Sequence, residues 1–181
     1  MADRKELKKA AKEQIKGNIG PLFLCYLVFS IITGTLIGGL LAPAMGIGFC
    51  LIYLNLQSGS KPSIGDIFKK LDLFGRALWL AIITSFFIML WSMLLYIPGI
   101  IKAISYSMGQ FILAEHPEYT ARKALSESKR IMNGHKKDFF ILTLSFIPWF
   151  LLGGITFGIG MIYVIPYYST TVANFYKTIK D

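Results

Sequence analysis

The sequence predicts an all-α, polytopic membrane helix bundle. It should hold about six transmembrane helices, arranged as three helix-plus-hairpin repeats with amphipathic cytoplasmic helices, in one integral membrane domain over 1–181. Three observations predict this class. First, the 181 residues are 54% hydrophobic and only 16% charged, with mean hydropathy +0.56, whereas soluble domains hold about 45–50% apolar and about 25% charged residues. Second, the apolar residues fall into three stretches, each close to twice the ~20 residues that cross a hydrocarbon core. Third, the basic residues gather between those stretches and not within their turns.

Taken in order, the first stretch runs from Pro21 to Leu56 and is interrupted by Gly38-Gly39, Pro43, Gly46 and Gly48. These breakers divide it into spans at 21–40 and 43–57. The basic start and the Ala42-Pro43-Ala44 triplet imitate a signal peptide. The run is too long for one, however, and apolar segments continue beyond it, so the first span is expected to be retained. The second stretch, from Ala77 to Ala114, divides at Pro98-Gly99 into 76–97 and 98–114. The third, from Asp138 to Tyr176, divides near Gly153-Gly154 or Gly158 into 138–154 and 157–176.

Orientation follows from charge. Of the 19 Lys and Arg, 18 lie before span one, between spans two and three, between four and five, or after six. Cytoplasmic loops carry such an excess, so both termini are expected in the cytoplasm and the formal charge of +9 records topology more than a nucleic-acid partner. The outer turns are too short to build a site. Any site therefore lies inside the bundle or on the cytoplasmic face.

Three stretches resemble one another: Leu7 to Asn18, Ile67 to Arg76, and Leu125 to His135. Each carries charge, then a glycine, then an apolar hairpin, and the glycines at 17, 75 and 134 are 58 and 59 residues apart. The spacing predicts repeat units of about 1–57, 58–114 and 115–181. Leu7, Ala10, Ala11 and Ile15 share one helical face. Ala121, Ala124, Leu125, Ser128, Ile131 and Met132 form a second stripe at i, i+3, i+4, i+7 spacing. Arg122, Lys123, Lys129 and Arg130 fall outside that stripe. With Lys136 and Lys137 they form a face suited to anionic lipid or a membrane-protein partner. Equally, such helices could pack beneath the bundle with their charges in water.

Further motifs resemble a known family. These are Leu7-Lys8 with Ala11-Lys12 and Lys16-Gly17-Asn18, Ile97-Pro98-Gly99-Ile100-Ile101-Lys102 with Tyr106-Ser107-Met108, and Met132 to Lys136. Leu144-Ser145-Phe146-Ile147, Pro166-Tyr167 and Ala173-Asn174-Phe175-Tyr176 add to them. Together they resemble the bacterial integral membrane family catalogued as domain of unknown function 975, over nearly the whole chain and most specifically from Ile97 onward. Pro148 stands where that pattern would have Gly. The resemblance implies a bacterial plasma membrane location and transfers no catalytic residue.

Lys102 is the one basic residue within an expected span, and such residues are functional candidates. Tyr106 and Gln110 follow at i+4 and i+8, giving a polar stripe on helix four. Tyr167, Thr171 and Asn174 give a second stripe on helix six. The stripes could line a small-solute path. Alternatively they are interhelical glue, with Lys102 snorkelling to the outer interface. All ten Asp and Glu fall in expected cytoplasmic or terminal segments, and no nucleophile–base set, paired carboxylates or phosphate loop is evident. Cys25, Cys50, His116 and His135 lack metal-ligand spacing, so no metal or cofactor is expected. A non-catalytic accessory or envelope component is the first expectation; a small transporter or channel lined by helices four and six is the alternative.

Overall fold

The computed structural model describes residues 4–94, 96–156 and 158–180, and these are helical apart from short turns. Helix α1 (Arg4–Ile15) buries Leu7, Ala11 and Ile15, close to the face that the spacing marks. A turn follows in which Gly17 takes φ +82°, a left-handed conformation that costs other residues roughly 1–2 kcal/mol. The amide of Asn18 donates to Ile15 O at 2.9 Å across this glycine, and Leu22 N donates to Asn18 O to open α2 (Ile19–Thr33). The same device recurs between α8 (Ala121–Ile131) and α9 (Lys136–Leu144). There Gly134 has φ +88°, His135 N donates to Met132 O, and Phe139 N to His135 O. The middle glycine differs: Gly75 lies inside α5 (Phe74–Leu94) without a positive φ. Two of the three expected repeat starts therefore share one geometry.

Helix α3 (Leu36–Leu56) begins earlier in sequence than the expected second span at 43–57. The break falls at Gly34-Thr35, where Thr35 is extended and its hydroxyl accepts the Gly38 amide at 3.0 Å. Pro43 sits inside the helix. Its ring removes a single bond, to the carbonyl of Gly39, a loss that membrane helices tolerate. α3 is the core element. Ala44, Met45, Ile47, Ile52, Tyr53 and Leu54 are all buried, and the helix packs against α2, α5, α4 (Ile64–Phe68), α7 (Gly109–Glu115) and α11 (Met161–Lys180). At Gly48 the contact with α4 is so close that a Cβ would lie 2.3 Å from Ile67 O.

A single 3₁₀ turn, Leu71–Leu73, leads into α5, which turns Trp79, Ile82, Phe86, Met89 and Leu90 outward. α5 ends at Leu94, position 95 lies outside the described residues, and α6 (Tyr96–Tyr106) already contains Pro98-Gly99, where the sequence placed the division. Helix four is not continuous. It ends at Tyr106, turns through Ser107-Met108 and resumes as α7. Ser105 Oγ donates to Ile101 O and Ser107 Oγ to Ile104 O, and such hydroxyls compete with the backbone ladder. Span five shows a similar break at Ser145-Phe146, just before Pro148 at the start of α10 (Ile147–Ile155).

Among the described residues, three stretches are long and apolar enough to cross a membrane: Gly38–Leu56, Ile64–Leu90 and Lys136–Ile155. A fourth is added if α1 and α2, bent by 86°, count as one. The protein is thus an all-α, multi-pass membrane protein with three to four candidate spans. The count is below six for clear reasons. α2 has 15 residues, about 22 Å at 1.5 Å each, against a core of about 30 Å. α6 and α7 are shorter still, and the second half of α11 is rich in hydroxyl, amide and lysine side chains.

Candidate functional site

The second polar stripe is absorbed into packing. α1 runs antiparallel along α11, with Leu7 beside Asn174 and Lys12 beside Tyr167. Asn174 donates to Leu7 O at 3.4 Å and accepts a hydrogen bond from the Gln57 amide at the end of α3. Thr171 Oγ1 donates to Tyr167 O at 2.7 Å. The Tyr167 ring is buried among Phe146, Trp149 and Tyr163. Here Ala11, fully buried, lets the two helices approach. These side chains join α1, α3 and α11.

The first stripe is divided by the break at Ser107-Met108. Lys102 is half-buried on α6, and Tyr106 stands 6.3 Å from the Phe87 ring. Gln110, on α7, meets α3, where its Oε1 accepts from Cys50 Sγ at 3.9 Å and its amide lies against Gly46. Asn174 and Gln110 thus meet α3 at different levels, near Gln57 and near Gly46–Cys50. Tyr106 and Gln110 do share a groove of about 350 Å³ with Thr84, Ser85 and Ser107, on one side of α5.

The basic face resolves into two kinds of residue. α8 buries Ala121, Ala124, Leu125, Ser128 and Ile131, the stripe that the periodicity marks. It is capped by Thr120, whose hydroxyl accepts from Lys123 N. Ser128 Oγ donates to Ser105 O at 2.8 Å, tying α8 to α6. On the outer face, the Lys123 ammonium sits 3.8 Å over the Tyr119 ring. The Arg130 Nε bonds both carboxylate oxygens of Glu127, at 2.9 and 3.1 Å, and this hydrogen bond holds the Glu127 carboxyl below its ordinary range. Arg122 and Lys129 have no such partner among the described residues. Instead they border a cleft of about 420 Å³ between α8 and α5, lined by Trp79, Ile83, Phe87, Tyr106, Leu125 and Ser126. Lys136 and Lys137 stand apart at the start of α9, half-buried and exposed respectively.

Sequence reasoning missed a third group. Glu115 accepts from Tyr176 Oη at 2.7 Å and from Lys180 Nζ at 2.9 Å, closing a pocket of about 240 Å³ with His116, Tyr119 and Glu127. Burial pushes the Glu115 carboxyl up, but the bonds from Lys180 and Tyr176 outweigh it and leave the group below its ordinary range. Lysines read only as topology markers also cap helix ends. Lys177 Nζ donates to Leu54 O near the end of α3, and Lys8 Nζ to Ser145 O at the end of α9, where cations complement the helix dipole. No local pattern brings residues 8 and 145 together, so only the tertiary fold reveals these pairs. Among the described residues no group of three His, Cys, Asp or Glu side chains is placed to hold a metal ion.

No curated protein and no solved structure matches the chain. The family model for Protein of unknown function (DUF975) matches residues 93–181. The recognition read from the motifs is therefore a family match over the C-terminal part of the chain, which includes every motif from Ile97 onward.

Proposed function

We propose that the protein is a non-catalytic accessory or envelope component of a bacterial plasma membrane that holds its basic connecting helices against anionic lipid or a membrane-protein partner. On this reading the chain crosses six times as three repeat-like units, with the broken pair α6–α7 making one crossing and both termini in the cytoplasm. The asymmetry of 18 basic residues supports that orientation, and the shared turn at Gly17 and Gly134 supports a common origin for two of the units. One observation carries the functional reading. α8 buries its whole apolar stripe while Arg122, Lys123, Lys129 and Arg130 remain exposed on its other side. A buried stripe with an exposed cationic face suits contact with a negatively charged surface.

The test is the lipid that the full chain retains through purification in mild detergent. Wild type should be enriched in anionic phospholipid relative to the membrane it came from, and replacing Arg122, Lys123, Lys129 and Arg130 with Gln should remove most of that enrichment. Retention matching bulk lipid in both proteins, with no partner co-purifying, would overturn the reading.

A second reading, a small transporter or channel, draws support from the groove where Tyr106 and Gln110 meet Thr84, Ser85 and Ser107. It predicts that Lys102→Met abolishes solute flux in liposomes, whereas the accessory reading predicts no such flux to lose.

A further inference from the structure

Resting on the lipid-contact reading, we propose that the cleft between α5 and α8 is a site for one anionic phospholipid, with its phosphate between Arg122 and Lys129 and an acyl chain along Trp79 and Phe87. Arg122 and Lys129 are seven residues apart, hence on the same side of α8 about 10 Å apart along its axis. Both side chains are long enough to converge on a group placed between them. Ser126, midway between them on the same cleft wall, offers a hydroxyl donor.

The neighbouring charges favour this choice of ligands. Lys123 is engaged by Tyr119 and Arg130 by Glu127. The engagement of Glu127 also matters, because an uncompensated carboxylate on the same helix between Arg122 and Lys129 would repel a phosphate. The face that would meet the ligand is left with a net positive charge.

The opposite wall decides what kind of anion fits. Trp79 and Phe87 are 49% and 38% exposed, and they belong to Ile64–Leu90, one of the candidate spans. A free phosphate would gain nothing from that aromatic wall, and a nucleotide base, which could stack on it, would have to leave water for a candidate membrane span to do so. A lipid would use it, since tryptophan favours the level where headgroups meet hydrocarbon, and the cationic side chains lie across the cleft from it. A volume of about 420 Å³ accommodates a headgroup and the first part of one chain, and the rest would follow the outward face of α5 past Phe86.

The experiment uses the full chain in phosphatidylcholine nanodiscs, with Trp91 and Trp149 replaced by Phe so that Trp79 alone reports. Phosphatidylglycerol or phosphatidylcholine with brominated acyl chains is then added in steps. Trp79 emission should be quenched at about thirtyfold lower mole fraction of the anionic lipid, the preference expected of two basic residues near a charged headgroup. Arg122→Gln with Lys129→Gln should abolish that preference. Arg122→Lys should keep part of it, and Lys136→Gln with Lys137→Gln should keep all of it. Equal quenching by the two lipids would overturn the site, as would loss of preference in the Lys136/Lys137 variant or displacement by millimolar inorganic phosphate. Lipid retention measured on the same protein separates the two claims: anionic enrichment without a Trp79 preference removes the cleft and leaves the broader reading, while absence of both removes both.

Discussion

At the scale of single residues, two glycines and one carboxylate carry the clearest predictions. Gly17 and Gly134 adopt positive φ in matching turns, with no neighbour that a Cβ would strike. Their cost on substitution is therefore conformational, and Gly17→Ala or Gly134→Ala should each lose about 1 kcal/mol of stability. Gly75→Ala should be neutral or slightly stabilising, because Gly75 is helical and equally uncrowded. Thermal unfolding in detergent checks all three. The spacing of 58 and 59 residues made these glycines visible in the sequence, but spacing reports position and carries no information about φ, which is why Gly75 looked equivalent. Glu115 has a folded-state pKa below its unfolded one. Its contribution is present above the ordinary carboxylate pKa of about 4.3 and is lost as pH falls through the lower, folded value. Glu115→Gln should accordingly lower the melting temperature at neutral pH, and the gap to wild type should close as both are acidified towards pH 3. A gap that persists in acid would mean that the carboxylate charge is not what Lys180 and Tyr176 hold.

At the scale of elements, amphipathicity was legible and continuity was not. The stripe from Ala121 to Ile131 is buried as its 3.6-residue period requires, because a short helix bordered by lysines has only one face to bury. Breaks inside apolar runs were harder to place. Pro43 and Gly46 invited a break that falls instead at Gly34-Thr35, and the serines at 105 and 107 mark a bend that no proline announces. Hydrophobic side chains look alike on either side of such a bend, and the hydroxyl contacts that create it depend on rotamer. Two substitutions and one control probe how the elements are joined. Ser128→Ala strands the Ser105 carbonyl and should cost about 1 kcal/mol, whereas exposed Ser126→Ala should leave stability unchanged. Gly48→Ala forces a Cβ to within 2.3 Å of Ile67 O and must move α4 off α3. Its cost should reach about 1–3 kcal/mol, the range for an overpacked core. Differential scanning of detergent-solubilised protein ranks the three.

At the scale of the whole molecule, composition points to a membrane as solvent and charge supplies the proposed orientation, but neither specifies the candidate site. The two polar stripes are correctly helical in period, yet Asn174 reaches Gln57 and Leu7 while Gln110 reaches Cys50. Which stripe meets which helix depends on the order of packing around α3, and a single sequence does not encode that order in any local pattern. The cleft with Arg122 and Lys129 likewise needs α5 and α8 side by side, although its cationic half was marked in advance. Everything proposed for that face depends on its lying on the cytoplasmic side, so topology is the most direct test. Single cysteines placed at Thr35, Ser60, Glu118 and Gly158, in a chain with Cys25 and Cys50 replaced by Ala, can be labelled with a membrane-impermeant thiol reagent in intact cells and in inverted vesicles. The account predicts labelling of positions 60 and 118 only in inverted vesicles, and of 35 and 158 only in intact cells. Labelling of positions 35 and 60 from the same side would contradict it.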